Sequence, residues 1–496
     1  MSLIQVSNLT FAYDGSVDNV FENASFQINT DWKLGFIGRN GRGKTTFLHL
    51  LQGKYTYSGQ ISAQVDFSYF PYEVADKQAK TMEVIRLIGH GCQDWEIVRE
   101  LSLLKISEQV LERPFATLSN GEQTKILLAA LFLKENNFLL IDEPTNHLDR
   151  EGRALVGEYL KSKTGFILVS HDRAFLDNCV DHVLSINKAD IDVQRGNFSS
   201  WLANKENQDN FELARNEKLQ KDIAGLQRAS RQSGKWADAA EKTKKGKGSK
   251  ETEKFIGTRS YYGEKSRKMQ KRRKNLETRQ QAALDEKSKL LKNVEKVDSV
   301  KITPLAYHAD RFASFKDVSI FYGEKTVCEN VTFSIEKGDR IALCGKNGSG
   351  KSSIVRLLCG DSMQYSGDFQ RGSQLIVSHV PQDTAFLSGD ISGYALKENI
   401  DESLFKAILR KLDFSREQFN KDMRDFSGGQ KKKVLIAKSL CERAHLYIWD
   451  EPLNFIDVLS RMQIEDLLLT YQPTIFFVEH DIAFCDKIAT KKVVLP

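Results

Sequence analysis

Two glycine-rich loops hold the residues best suited to chemistry. Gly38, Arg39, Asn40, Gly41, Arg42, Gly43, Lys44, Thr45 and Thr46 form the first, and Gly345, Lys346, Asn347, Gly348, Ser349, Gly350, Lys351, Ser352 and Ser353 the second. In such a loop the glycines let the backbone turn its N–H groups toward phosphate oxygens, and a following helix adds partial positive charge. Lys44 and Lys351 then reach β- and γ-phosphates, and the Thr45 and Ser352 hydroxyls are candidate Mg2+ ligands. An acidic pair ends a short apolar run in each half: Asp142 and Glu143 after Phe138–Ile141, Asp450 and Glu451 after Leu446–Trp449. Asp142 and Asp450 are placed to hold Mg2+, and Glu143 and Glu451 to polarise an attacking water. His171 and His480 each follow a further apolar run and are candidate γ-phosphate contacts.

These residues recur because the chain repeats itself at an offset of about 307 residues, the first thing to look for in a long sequence. Lys44 to Glu143 is 99 residues and Lys351 to Glu451 is 100. Ser119 to Glu143 and Ser427 to Glu451 are both 24, and glutamate to histidine is 28 and 29. Four motifs in one order at matched spacing exclude a chance glycine turn. A helix start with a small hydroxyl and glycine, as at Ser119 and Gly121 or Ser427 and Gly429, is a second anion site in each half. Its economical use is to cap the nucleotide held by the other half. Tyr13 and Tyr322 follow the opening strand of each copy and are candidates to stack on adenine, with core packing as the rival reading.

The elements that must position these groups read directly. Residues 3–13 alternate as a strand, residues 21–37 supply two more strand-like runs, and Thr45–Leu51 continues as a helix, so the first loop sits between strand and helix. Phe138–Ile141 and Phe166–Val169 are apolar runs of the kind that form buried parallel strands, which deliver ligands at their carboxyl ends. Phe315–Tyr322 repeats the opening strand in the second copy.

Between the copies lies a different kind of sequence. Residues 201–300 contain 26 Lys plus Arg against 15 Asp plus Glu, so this stretch carries +11 while the whole chain is +6. Leu219, Ile223 and Leu226, then Leu276, Ala283, Leu290, Val294 and Val297, recur at coiled-coil spacing. The pattern predicts helices near 204–242 and 262–300 around a polar tip at about 243–263. Each helix would reach roughly 55–60 Å, far more than two domains need to be joined. Lys254, Phe255, Ile256, Tyr261 and Tyr262 at the tip, with Lys271, Arg272 and Arg273 beyond it, suit RNA, whose phosphates attract cations and whose bases stack on rings. A net-acidic body with a basic projection points to a polyanion partner. No apolar run approaches the ~18–20 residues of a membrane helix, the start lacks signal-peptide character, and seven scattered cysteines without a Cys-x-x-Cys pair read as reduced thiols. A cytoplasmic protein is expected.

With those residues in hand, the sequence resembles the ATP-binding cassette superfamily and, having two cassettes, no membrane span and a basic helical linker, its ABC-F class. Within the class it looks like the antibiotic-resistance ribosomal protection branch, Lsa type. The run from Phe36 to Thr45, Arg113-Pro114-Phe115 before Leu118 and Ser119, and the run from Ile448 to Asn454 carry that placement. The resemblance implies an α/β fold: two tandem P-loop ATP-binding cassette domains, 1–203 and 305–496, joined over 204–304 by a long antiparallel α-helical coiled-coil linker. It implies an ATPase with two composite sites, using ATP and Mg2+, with Gln382 as a further nucleotide and metal ligand. It implies a single chain with an intramolecular cassette pair that binds the E site of the 70S ribosome when ATP-bound. The linker tip would extend toward P-site tRNA and the 23S rRNA of the peptidyl-transferase centre, dislodging lincosamide, streptogramin A and pleuromutilin antibiotics, with Phe255 nearest the drug pocket. The alternatives are a general ABC-F translation factor for stalled ribosomes and, from another class, the ATPase subunit of a membrane exporter. The sequence departs from the superfamily pattern at Tyr72, where glutamine is expected, and at Asn120, where glycine is usual. These departures bear on whether the two sites hydrolyse at equal rates.

Overall fold

The computed structural model describes residues 2–14, 19–146, 148–186, 191–244, 256–290, 305–323, 325–346, 348–415 and 417–495. They divide into two units, one of residues 1–186, 190–201 and 297–496, the other of residues 187–189 and 202–296.

The first unit holds both copies of the repeat. In the first copy, Leu3–Phe11 pairs antiparallel with Phe21–Asn29 on one side and Ser58–Ser62 on the other. A second sheet runs in the order Asp66–Phe70, Asn137–Asp142, Phe166–Val169, Lys33–Gly38, His182–Ile186, Ile191–Arg195, parallel except for the last strand. The second copy reproduces this plan. Arg311–Tyr322 lies between Lys325–Glu336 and Gln364–Arg371, and five parallel strands run in the order Val377–Val380, Leu446–Asp450, Ile475–Val478, Arg340–Cys344, Lys491–Val494.

Strand patterning explains the layers. Strands buried on both faces are continuously apolar, as in Phe166–Val169 and Ile475–Val478, and need helices on one side and the antiparallel sheet on the other. In the first copy Phe47 of the helix Lys44–Leu51 packs its ring against Phe21, Phe26 and Phe36, joining the two sheets. Ile4, Leu9, Leu34 and Leu140 fill the same core. A fully buried ring of this kind contributes roughly 1.5–3 kcal/mol. The carboxyl ends of the parallel strands are thereby brought to one edge, where the glycine loops, acidic pairs and histidines follow them.

The second unit contains two long helices, Phe198–Lys244 and Ile256–Leu290, of 47 and 35 residues, so roughly 70 and 50 Å at ~1.5 Å per residue. Both depart from the expected bounds. The first starts six residues before 204, because the Asn197 side chain accepts the Ser200 N–H at 3.0 Å and Phe198 and Trp201 are buried one turn apart. The second starts at Ile256, so Ile256, Tyr261 and Tyr262, expected in a polar tip loop, lie on a helix. Gly263 costs about 1 kcal/mol in the helix interior, and the Glu, Lys and Arg residues that follow it, good helix formers, sustain the helix. Lys254 and Phe255 lie outside the described residues, as do Val294 and Val297 of the expected seam. Ile223 is buried, Leu226 and Leu276 are half-buried, and Lys271, Arg272, Arg273 and Lys274 are exposed. No helix among the described residues is long and apolar enough to cross a membrane.

Candidate functional site

The first glycine loop leaves its strand at Gly38 and enters its helix through Gly43, whose φ of 88° is left-handed. A Cβ at Gly43 would lie 2.5 Å from Val20 Cγ1, so only glycine fits. Gly350, φ 90°, does the same in the second loop. Lys44 is buried, and its Nζ donates to the carbonyls of Gly38 at 2.6 Å and Arg39 at 3.2 Å, folded along the inside of its own loop. Lys351 donates to Gly345 at 2.9 Å and Lys346 at 2.7 Å. Burial lowers the pKa of both lysines, and neighbouring carboxylates oppose the shift.

Opposite each lysine stands the acidic pair. Thr45 Oγ1 donates to Asp142 Oδ2 at 2.8 Å, and the Tyr69 hydroxyl donates to the same oxygen at 3.0 Å. Burial, then Asp142, raises the Tyr69 pKa. In the second copy Asp450 is buried, one carboxylate oxygen has no partner among the described residues, and burial raises its pKa. Hydroxyl beside carboxylate, with an orphaned buried oxygen, is a donor set that fits Mg2+, a cation of oxygen ligands.

Both glutamates adopt left-handed backbone, φ 52° at Glu143 and 47° at Glu451, a conformation uncommon outside glycine. Each is locked there by an N–H bond to the neighbouring strand end, to the carbonyl of Val169 at 2.9 Å and of Val478 at 3.0 Å. Their side chains differ. Glu143 Oε1 has His171 Nε2 at 3.3 Å, and burial together with Asp142 raises its pKa to about 8. Burial, then Lys44, holds His171 well below the usual imidazole range. Glu451 is held below the usual carboxylate range by His480, whose Nε2 stands 3.7 Å from Oε1. Its Oε2 also accepts the amides of Asn454 at 2.7 Å and Gln382 at 2.8 Å.

Each loop faces the other half of the chain. A cavity of about 630 Å3 is lined by Gly41, Gly43, Lys44, Thr45, Thr46, Asp142, Glu143 and His171 on one side and by Ser427, Gly428, Gly429 and Phe455 on the other. A second, of about 810 Å3, places Gly348, Gly350, Lys351, Ser352, Ser353, Gln382, Glu451 and His480 opposite Ser119, Asn120, Gly121, Asn146 and Asp149. Ser119 and Ser427 start their helices with reciprocal capping boxes, through Glu122 and Gln430. The halves are also bonded directly. Asn40 Nδ2 donates to the Phe455 carbonyl at 2.6 Å, and Arg173 pairs with Glu465. A Cβ on Gly429 would meet that carbonyl at 2.3 Å, so the approach requires glycine.

The family model described as "ABC transporter" matches residues 21–146 and again 328–454, just over half of the chain. The chain belongs to the ABC transporter family. Its two cassettes are ATPase domains, and the chain is an ATPase with two composite sites. The chain is 26% identical over 520 residues to the ribosome protection protein VmlR of Bacillus subtilis (strain 168), covering 99% of this chain and 86% of that protein. It is 27% identical over 493 residues to ATP-binding protein Uup of Caulobacter vibrioides, covering 96% and 74%. Among solved structures, the crystal structure of archaeal ribosome recycling factor aABCE1 with the stalk protein aP1 has a fold like this one, with TM-score 0.63, 18% identity and coverage of 98% and 87%.

Three groups of expected site residues make side-chain contacts that the motifs do not specify. Arg39 and Arg42, expected at the nucleotide, send their side chains across to the other cassette. Arg39 is buried, 3.4 Å from Asp413 Oδ2, and donates to Ser460 Oγ at 3.4 Å and Gln463 Oε1 at 3.3 Å, while Arg42 stands 3.9 Å from Asp413. Tyr13 lines the first cavity, its hydroxyl 2.6 Å from Thr46 Oγ1. Its counterpart Tyr322 does not line the second, and is half-exposed with its hydroxyl accepting from Arg356 at 3.3 Å. Gln382, expected on the metal, donates its side-chain N–H to Glu451, which leaves its carbonyl oxygen as the candidate ligand. Asn347 and His147 lie outside the described residues. Asp413 and Glu465 were missed by motif reading because they carry no motif; each is found only through its cross-cassette partner.

Proposed function

We propose that this ABC ATPase is an ABC-F protein of the ribosomal protection branch, Lsa type, which binds the E site of the 70S ribosome in its ATP-bound state. The observation that carries the reading is the pairing of a closed two-cassette ATPase with a strongly basic unit of two long helices inserted between the cassettes. The likeness to a protein named for ribosome protection, along nearly the whole chain, supports it.

In this reading the domains are 1–203, 204–304 and 305–496, and the inserted helices pair as an antiparallel coiled coil. Thr45 and Asp142, and Ser352, Asp450 and Gln382, hold Mg2+, which when bound neutralises phosphate charge and orients the triphosphate. Lys44 and Lys351 exchange their loop carbonyls for phosphate oxygens. Glu143 and Glu451 orient the attacking water and take its proton, and His171 and His480 contact the γ-phosphate. Ser119 and Gly121 cap the nucleotide of the second loop, and Ser427 and Gly429 that of the first. The helices present Lys271, Arg272 and Arg273 to 23S rRNA phosphates, and the tip around Lys254, Phe255, Ile256, Tyr261 and Tyr262 acts near P-site tRNA and the peptidyl-transferase centre. There it displaces lincosamide, streptogramin A and pleuromutilin antibiotics. The protein works in the cytoplasm.

Sedimentation with ribosomes tests the first half: the Glu143→Gln/Glu451→Gln protein stays bound in ATP and is released in ADP. Indifference to nucleotide overturns the reading. Expression in a sensitive host tests the second: tolerance rises with the intact chain and falls when residues 245–255 are replaced by a short glycine linker. Ribosome binding without any change in tolerance leaves a general translation factor instead.

A further inference from the structure

Among the buried positions at which the helices Asn120–Phe132 and Gly428–Cys441 differ, one exchanges a neutral residue, Thr124, for a charged one, Lys432. Lys432 sits on the helix Gly428–Cys441, five residues after Ser427, and is only 2% exposed. Its Nζ donates to the carbonyl of Pro381 at 2.8 Å and faces that of Asp450 at 3.4 Å. Pro381 immediately precedes Gln382, whose amide donates to Glu451, and Asp450 immediately precedes Glu451. One ammonium therefore ties together both backbone segments that carry the second catalytic glutamate and its amide donor.

A second substitution accompanies it. Glu479, also buried, exerts the largest charge effect on Lys432. Its Oε1 accepts the Leu453 N–H at 2.8 Å and its Oε2 the His480 N–H at 2.9 Å, fixing the loops that bear Asn454 and His480. The first cassette has Thr124 and Ser170 at the corresponding positions. There the space beside Thr124 is a cavity of about 500 Å3, lined also by Pro71, Tyr72, Asp142 and Glu143. At these two positions one cassette has a buried cation and a buried anion and the other has neither. Backbone carbonyls compensate the buried Lys432, and backbone N–H groups with Arg461 as the main counter-charge compensate Glu479.

We infer that Lys432, with Glu479, is a positioning residue for the second ATPase site: it holds Gln382 and the Asp450–Glu451 turn so that Glu451 is aimed at the attacking water, and the first site works without this support. Lys432 touches no reacting atom. It acts through Pro381, Asp450 and Glu479, and it does so from the helix whose first residues cap the opposite site.

The test uses the full chain and steady-state phosphate release, in two backgrounds. Glu143→Gln leaves turnover to the second site, and Glu451→Gln leaves it to the first. Lys432→Met is expected to lower kcat about tenfold in the Glu143→Gln background, with KM for ATP within about twofold, because support for a transition-state geometry is lost rather than ground-state binding. In the Glu451→Gln background kcat should change by less than about twofold, and Lys432→Arg, which keeps the donors, should restore most of the loss. A rise in KM at unchanged kcat, or equal losses in both backgrounds, overturns the inference. Should Lys432→Met fail to fold, the reciprocal Thr124→Lys/Ser170→Glu change in the Glu451→Gln background decides. A rise in first-site kcat of about threefold supports the assignment, and no rise overturns it.

Discussion

At the second site Glu451 accepts two amide hydrogen bonds, from Gln382 and Asn454, with His480 on its other oxygen. At the first site, among the described residues, Glu143 has His171 beside it; Tyr72 stands in place of the glutamine and is half-exposed, and Asn146, the counterpart of Asn454, is exposed and lines both cavities. The backbones match to the sign of φ at the glutamate. The difference lies wholly in side chains outside the phosphate loop and the acidic pair. It teaches that a duplicated ATPase can keep the phosphate-loop geometry of both sites while only one keeps an amide scaffold around its glutamate.

The largest test of that contrast is removal of each base. Glu451→Gln should cut steady-state phosphate release about a hundredfold, and Glu143→Gln by no more than about threefold, since a positioned base is worth about 10²–10⁴-fold only where it is aimed. Equal losses would break the comparison. Next is the amide donor. Gln382→Ala should lower turnover of the Glu143→Gln enzyme about tenfold, roughly one hydrogen bond to a charged group, while Tyr72→Ala leaves the Glu451→Gln enzyme within about twofold. The smallest effect concerns the aromatic at each opening strand. Tyr13→Ala should raise KM for ATP at the first site about threefold, and Tyr322→Ala should leave the second unchanged, measured in the same two backgrounds.

Much of this is legible in the sequence. The repeat made the phosphate loops, acidic pairs and histidines readable, because local strand–loop–helix order fixes where such groups emerge. The facing of each signature helix toward the opposite loop followed from asking why one half needs two anion sites. What sequence did not disclose is what depends on pairs far apart in the chain. Arg39 reads as a phosphate-loop cation, yet its side chain is claimed by Asp413, Ser460 and Gln463, more than 370 residues away. The start of the second long helix was misread because Gly257 and Gly263 signal a loop locally, while their helix-forming neighbours outweigh them. The Lys432 and Thr124 difference lies within the repeat, but nothing local marks the lysine; the carbonyls of Pro381 and Asp450, 51 residues before it and 18 after, do.

The left-handed backbone at Glu143 and Glu451 carries a further consequence. Such a conformation costs a residue with a Cβ on the order of 1–3 kcal/mol, and glycine almost nothing. Laboratory evolution that rewarded only heat tolerance would therefore drift toward glycine at both places, silencing hydrolysis as it hardened the protein. With a carboxylate at each place, the chain carries that strain in exchange for the chemistry a glycine could not supply.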